Sequence, residues 1–167
     1  MRKKLFLCVI AAVIGVFAVS SAVAKQKPAK PLGAQLAEIR AATAKYHNAA
    51  RAIADGYLQV SPCVTSPPGV SPAGAMGIHY RKNALLDGQV NALTPEVLVY
   101  EPRKNGKLRL VAVEYFEWAA SVNNVRPTVL GQPFVGPETH GLAPHFEAHV
   151  VVEAQPGWHV RPVESAR

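Results

Sequence analysis

The segment from Lys107 to Trp118 constrains the fold more strongly than any other part of this sequence. Its side chains alternate in character, and a period of two is typical of a β-strand that buries one face. One face carries Leu108, Leu110, Ala112, Glu114, Phe116 and Trp118, and the other carries Lys107, Arg109, Val111, Val113, Tyr115 and Glu117. The pattern predicts a long strand and places the carboxylate of Glu114 among apolar side chains.

Shorter strand patterns accompany this segment. Residues 96–101 and 145–153 are rich in strand-forming side chains, and Asn105-Gly106 tolerates the positive φ angles that a hairpin turn requires. Proline and glycine recur through residues 61–77 and 119–141, which predicts two long loops. We therefore expect antiparallel β structure over most of the second half of the chain.

A helical pattern precedes the strands. Apolar residues recur at steps of three or four over Leu32–Asp55, and Gly56 supplies a C-terminal stop. A short strand-like segment, residues 57–60, follows at once. The predicted fold class is α+β, with an N-terminal helix packed on a small, barrel-like antiparallel β-sheet with long Pro/Gly-rich loops. This single domain spans residues 32–167 and follows a linker at residues 25–31.

The first 24 residues have the three parts of a secretory signal peptide. Residues 2–4 are basic, residues 5–19 are an uninterrupted apolar run, and Ala22-Val23-Ala24 offers the small side chains that a signal peptidase accepts. The apolar run is shorter than the ~18 residues expected of a membrane span, so an uncleaved anchor is the weaker alternative. We predict an exported protein, periplasmic or extracellular, that no membrane segment holds after cleavage.

Charge and cysteine usage narrow the class of partner. The chain has 18 Lys and Arg against 11 Asp and Glu, but three of these basic residues lie in the predicted leader. No basic run with interleaved aromatic residues is present, so we expect no nucleic-acid partner. Cys63 is the only cysteine after residue 24. We expect it to be a small buried hydrophobe, with reaction or pairing between chains as alternatives.

Five short segments have residue combinations that are more distinctive than folding alone requires. They are DGYLQVSPC (55–63), MGIHY (76–80), PEVLVYEP (95–102), VEYF (113–116) and GQPF (131–134). In this order they resemble a family of small exported bacterial proteins of unknown function, over about residues 45–152. The resemblance implies an exported domain and no particular activity.

The carboxylate of Glu114 requires a partner. On an apolar strand face it needs a cation, a metal ion or several hydrogen-bond donors, or its pKa must rise. Two imidazoles and one carboxylate are a donor set that zinc and iron sites prefer. We predict that His79, Glu114 and His149 bind a divalent metal such as zinc, with His145 and His140 as additional candidates. A structural interpretation instead pairs Glu114 with an arginine, Arg81 or Arg126, and leaves the last-strand histidines in solvent.

Two further functions remain open. A non-enzymatic protein that binds a small ligand or an envelope component would use its Pro/Gly-rich loops and an apolar groove lined by Tyr57, Tyr80, Phe116 and Trp118. A hydrolase would use Glu114 as a general base. The sequence has no G-x-S-x-G, phosphate-binding glycine loop, Cys-x-x-Cys or H-E-x-x-H motif, and it leaves enzymatic activity undecided.

Overall fold

A computed structural model describes residues 30–65, 75–139 and 141–153. The predicted leader, most of the linker, part of the first predicted loop, His140 and residues 154–167 of the predicted domain lie outside this range. Two α-helices, α1 (Leu32–Thr43) and α2 (Ala49–Ala54), flank a 3₁₀ turn at Ala44–His47. A second 3₁₀ turn lies at Asn83–Leu85. The strands are β1 (Leu58–Thr65), β2 (Ala75–Arg81), β3 (Val97–Pro102), β4 (Leu108–Trp118), β5 (Thr128–Val129), β6 (Gln132–Pro133), β7 (Val135–Glu138) and β8 (His145–Val151).

Six strands form one antiparallel sheet in the order β1-β2-β3-β4-β8-β7, and β5 pairs with β6 in a separate ribbon. This arrangement confirms the α+β class and the packing of helix against antiparallel sheet. The barrel-like closure was wrong, because among the described strands β1 and β7 remain as edges. Each edge strand contains a proline, Pro62 or Pro137, whose missing N–H cannot continue a ladder.

The helical segment has the predicted extent but is interrupted in the middle, where the sequence pattern predicts one continuous helix. Asn48 adopts an extended conformation between the 3₁₀ turn and α2, and its side chain accepts a hydrogen bond from the N–H of Ala50 at 3.1 Å. Asparagine competes for backbone groups in this way, which ends one helix and caps the next. The periodicity correctly predicts the burial of Ile39 and Tyr46, whereas Ile53 beyond the break is exposed.

The two faces of the sheet bury different clusters. The face toward the helices carries a core rich in tyrosine, including Tyr46, Tyr57, Tyr80, Tyr100 and Tyr115. The opposite face carries a smaller cluster of Val97, Val99, Val111, Ala112 and Phe116. Buried tyrosine hydroxyls donate to main-chain carbonyls, as in the 2.8 Å bond from Tyr100 to Tyr46, so the helices are fixed to the sheet by polar contacts as well as packing.

A β-bulge in β4 changes which residues share a face. Tyr100 pairs with Leu110 and Val99 with Ala112, so Val111 is an extra residue on β4. Leu110 therefore joins the core on the helix side, and Leu108 packs against that core. The predicted position of these two leucines on the same face as Glu114 was wrong. The alternation holds from Ala112 onward, where Glu114 lies on the face away from the helices.

Both predicted loops contain strands. Residues 61–65 and 75–77 extend β1 and β2, and β5, β6 and β7 lie within residues 119–141. Prolines are compatible with these short or edge strands, since one side of each strand needs no ladder hydrogen bond. Cys63 lies on edge strand β1 and is exposed, so its expected burial was wrong. None of the helices in the described part of the chain combines the length and the apolar character that crossing a membrane requires.

Candidate metal centre

The strand register brings Glu114 and two histidines to one face of the sheet, from three different strands. Glu114 on β4 is the direct cross-strand partner of His149 on β8. His79 on β2 pairs with Val99 on β3. Val97, two residues before Val99 on the same strand, pairs with Glu114. Only the short valine side chains of β3 lie between β2 and β4, so the longer side chains of His79 and Glu114 can meet above them.

The two imidazoles converge on one carboxylate oxygen of Glu114. Nε2 of His79 and Nε2 of His149 each lie 3.5 Å from Oε2 of Glu114. One ligand atom from each of the three residues lies within 4.8 Å of the other two. Zinc binds nitrogen and oxygen at about 2.0–2.1 Å, so neighbouring ligand atoms in a tetrahedral site are roughly 3.3 Å apart. The His–Glu separations therefore match those that a bound metal ion requires.

One of these ligand atoms is buried without a hydrogen bond. Nε2 of His149 is shielded from solvent and has no hydrogen-bond partner, although the Glu114 oxygen lies 3.5 Å away. Among the described residues, its polar neighbour is thus the Glu114 oxygen, in an ion pair that requires a protonated imidazole. A cation bound between the three side chains would replace that proton.

Ser61 orients the imidazole of His79. Its Oγ lies 2.9 Å from Nδ1 of His79, accepts from the His79 backbone N–H at 3.0 Å, and donates to the Pro62 carbonyl at 2.9 Å. Because the hydroxyl proton is used on Pro62, we assign the Nδ1 proton to His79 as the donor to Ser61. In the neutral ring Nε2 then carries the lone pair that faces Glu114. This is the tautomer that a metal ligand needs.

The position of Ser61 results from an irregularity in β1. Gln59 pairs with Tyr80 and Cys63 with Ile78, so β1 contains two more residues than β2 over this stretch. Such a bulge redirects side chains at a sheet edge. Sequence reasoning placed Ser61 in a loop and missed its role, and the proline that follows it is the only local signal of an irregular strand.

Burial and charge act on the site together. Burial by itself would raise the pKa of Glu114. The charges of His149 and, to a smaller extent, His79 outweigh that effect and hold the pKa below its usual range. Burial by itself would lower the pKa of His149. Its attraction to Glu114 and, to a smaller extent, to Glu147 outweighs that effect and raises the pKa. Burial lowers the pKa of His79 despite the nearby carboxylate, which favours a neutral, metal-competent imidazole.

Glu147 is a second carboxylate beside the site. It lies on β8 opposite Phe116, on the same face as Glu114 and His149. Burial, together with the negative charge of Glu114, raises the pKa of Glu147 to about 7. Sequence reasoning gave Glu147 no role, and the structure places this carboxyl group beside Glu114, with which it shares a proton rather than adding a second negative charge.

The additional candidate His145 lies outside the group of three. Its ring stacks on Phe116 with centroids 4.6 Å apart, and its Nδ1 lies 2.9 Å from the Ala143 carbonyl. Its Nε2 is 3.6 Å from Glu147. The strand spacing explains this separation, because His145 and His149 are four residues apart on an extended strand, roughly 13 Å along the backbone.

The other predicted residues are dispersed. Tyr57 and Tyr80 lie in the core on the helix side, whereas Phe116 and Trp118 lie on the opposite face, so the four do not line one groove. Glu114 makes ion pairs with the two histidines and not with an arginine among the described residues. Arg126 instead donates to the Gly136 carbonyl at 2.8 Å.

Removal of the Ser61 hydroxyl tests the orientation of His79. We expect Ser61→Ala to weaken metal binding by about 10-fold, because loss of a partner that orients a ligand typically costs 10–100-fold in affinity. Competitive titration of zinc against a chromophoric chelator measures the change, with the exposed Ser121→Ala as the matched control. Equal affinities in the two variants would show that Ser61 does not orient the ligand.

Comparison with known proteins adds no further assignment. No protein-family model matches the chain, and comparisons with curated proteins and with solved structures give no significant match.

Proposed function

We propose that this protein binds a divalent transition metal through His79, Glu114 and His149. The observation that carries the proposal is the convergence of one ligand atom from each residue within 4.8 Å, with both imidazole Nε2 atoms 3.5 Å from the same carboxylate oxygen. Two imidazoles suit zinc, iron, nickel or copper and disfavour magnesium and calcium, which prefer oxygen ligands. Zinc is the ion that we expect under ordinary conditions.

The site has the composition of a centre with open coordination positions. Structural zinc sites have four protein ligands, whereas three ligands leave a position for water or a small molecule. The described residues supply three, and His145 is held elsewhere by its contacts with Phe116 and Ala143. We infer that the metal binds or activates a small ligand, outside the cytoplasm if the predicted leader acts as a signal peptide.

The alternatives from the sequence receive less support. Histidine contacts lower the pKa of Glu114, which makes that carboxylate a weaker base than the hydrolase hypothesis requires. The aromatic groove of the binding-protein hypothesis depends on Tyr57, Tyr80, Phe116 and Trp118, which lie on two faces of the sheet. A small-ligand function remains compatible with the metal site, as the ligand would bind to the metal.

Elemental analysis of protein purified without a histidine tag tests the proposal directly. After incubation with zinc and desalting, we expect about one zinc ion per wild-type chain and almost none in Glu114→Gln, because the amide carries no charge and binds metal weakly. The exposed Glu38→Gln is the matched control and should retain the wild-type content. Equal and negligible metal in wild type and Glu114→Gln would overturn the proposal.

A further inference from the structure

A second pair of histidine and carboxylate lies beside the candidate metal ligands. His145 and Glu147 alternate with their neighbours along β8, so both share the face of His149. Nε2 of His145 lies 3.6 Å from Oε2 of Glu147. This separation is close to the two 3.5 Å contacts between imidazole and carboxylate in the first centre. The pair therefore has the spacing of two ligands of one metal ion.

His145 is held in the orientation that a metal ligand needs. Its Nδ1 lies 2.9 Å from the Ala143 carbonyl, which can only accept, so we assign the Nδ1 proton to this hydrogen bond. In the neutral ring Nε2 then carries the lone pair and faces Glu147. The side chain is 2% exposed, and its ring stacks on Phe116 with centroids 4.6 Å apart, which fixes the ring plane. The Ala143 carbonyl is the kind of outer partner that metal-ligating histidines generally have.

Glu147 connects this pair to the first centre. It is the diagonal neighbour of Glu114 across β4 and β8, because Glu114 pairs with His149, two residues further along β8. The two carboxyl groups are in hydrogen-bond contact and share a proton. Carboxylates at such close range resist being ionised together unless a cation lies beside them. A metal ion would supply that positive charge in place of the shared proton.

We propose that His145 and Glu147 bind a second divalent metal ion, with the carboxylates of Glu147 and Glu114 between it and the first ion. The inference rests on the proposed metal site of His79, Glu114 and His149. In two-metal sites of proteins the ions lie about 3.5–4 Å apart, a distance that a carboxylate group can bridge. The protein would then hold a dinuclear metal centre on one face of its sheet.

The donor set of the second ion differs from that of the first. One imidazole and two carboxylates suit zinc, manganese or iron(II). Glu138, which pairs with His145 from β7, adds a negative charge that acts on Glu147 and His149 and favours a cation here. Because the second ion has one imidazole and shares Glu114, we expect it to bind more weakly than the first. Desalting would release it and leave the single ion expected from elemental analysis.

Equilibrium dialysis against cobalt(II) counts bound ions without a desalting step. At saturation we expect about two cobalt ions per wild-type chain and about one in His145→Ala, which keeps the ligands of the first ion. His47→Ala is the matched control, because His47 is 45% exposed and lies outside both groups of ligands. It should bind as many ions as wild type.

Electron paramagnetic resonance tests whether the two ions are neighbours. Two cobalt(II) ions joined by a carboxylate couple magnetically, so the signal per bound ion should fall as the second ion binds to wild type. In Glu147→Gln we expect about one ion per chain and a constant signal per ion, because an amide binds metal weakly. This variant and the wild-type titration decide the question if His145→Ala is poorly folded.

The outcomes distinguish the inference from the metal proposal. One cobalt ion per wild-type chain at saturation would overturn the inference and leave the first site standing. Two ions without loss of signal per ion, or two ions in both His145→Ala and Glu147→Gln, would place the second ion elsewhere and also overturn the inference. Absence of bound cobalt in wild type would overturn the metal proposal, and the inference with it.

Discussion

Zinc at a hundred times its dissociation constant is expected to raise the melting temperature of this protein by about 10 °C. Binding to the native state alone stabilises it by about 2.7 kcal/mol at that concentration. For a domain of this size, each kcal/mol shifts the melting temperature by roughly 3–5 °C. The gain arises because His79, Glu114 and His149 converge only in the folded sheet, so the unfolded chain offers no such site.

Differential scanning fluorimetry or calorimetry measures this shift at pH 7.5. Calcium at the same concentration should leave the melting temperature unchanged, since imidazole ligands disfavour it. Glu114→Gln and His149→Ala should lose most of the zinc shift, whereas Glu38→Gln should keep it. A zinc shift of equal size in Glu114→Gln would place zinc at a different location and contradict the assignment.

The second large effect concerns pH and a buried glutamate outside the site. Glu96 is 1% exposed, and its Oε2 accepts a hydrogen bond from the N–H of Phe116 at 3.2 Å. Burial, followed by the charges of Glu117 and Asp87, raises the pKa of Glu96 to about 8 from an ordinary value of 4.5. The folded state therefore keeps a proton that the unfolded state releases between these two pH values.

The sign of the effect follows from that difference. The folded state binds more protons, so the free energy of unfolding is highest below about pH 4.5 with respect to this group and falls as the pH rises through about 8. Each unit of pKa difference corresponds to about 1.4 kcal/mol, which gives a loss on the order of 5 kcal/mol. Glu147, whose pKa is raised to about 7, acts in the same direction.

Urea unfolding at pH 5 and pH 9 tests the role of Glu96. The variant Glu96→Gln keeps an oxygen acceptor for Phe116 and carries no charge. We expect it to have a free energy of unfolding close to that of wild type at pH 5 and several kcal/mol higher at pH 9. The exposed Glu38→Gln should follow wild type at both values. If Glu96→Gln gained no stability at pH 9, the buried carboxylate would not be a source of alkaline destabilisation.

The sequence predicts most of the architecture because the strand and turn signals are local. The apolar alternation of β4 and the Asn105-Gly106 turn correctly predict a long hairpin strand. The bulge at Val111 was not predictable, because it depends on how Tyr100 and Leu110 pair across strands. The break at Asn48 escaped prediction for a similar reason, since the side chain caps α2 only once the flanking segments pack.

In the candidate site, too, local patterns predict part of the arrangement and pairing between strands decides the rest. Alternation alone placed Glu114 on an apolar face, and the structure confirms that placement. The metal set of His79, Glu114 and His149 was named from donor chemistry without knowledge of their distances. Its two 3.5 Å contacts depend on the registers of four strands, which no single segment encodes.

The strand pattern of residues 107–118 by itself determined that this chain folds as antiparallel sheet and buries a carboxylate in it. Periodicity fixes which side chains share a face, and that information is local. Only the tertiary structure decided that the sheet stays open, that Ser61 reaches His79, and that His149 lies opposite Glu114. These are relations between strands, and they are set by pairing register, bulges and edge prolines across distant parts of the chain.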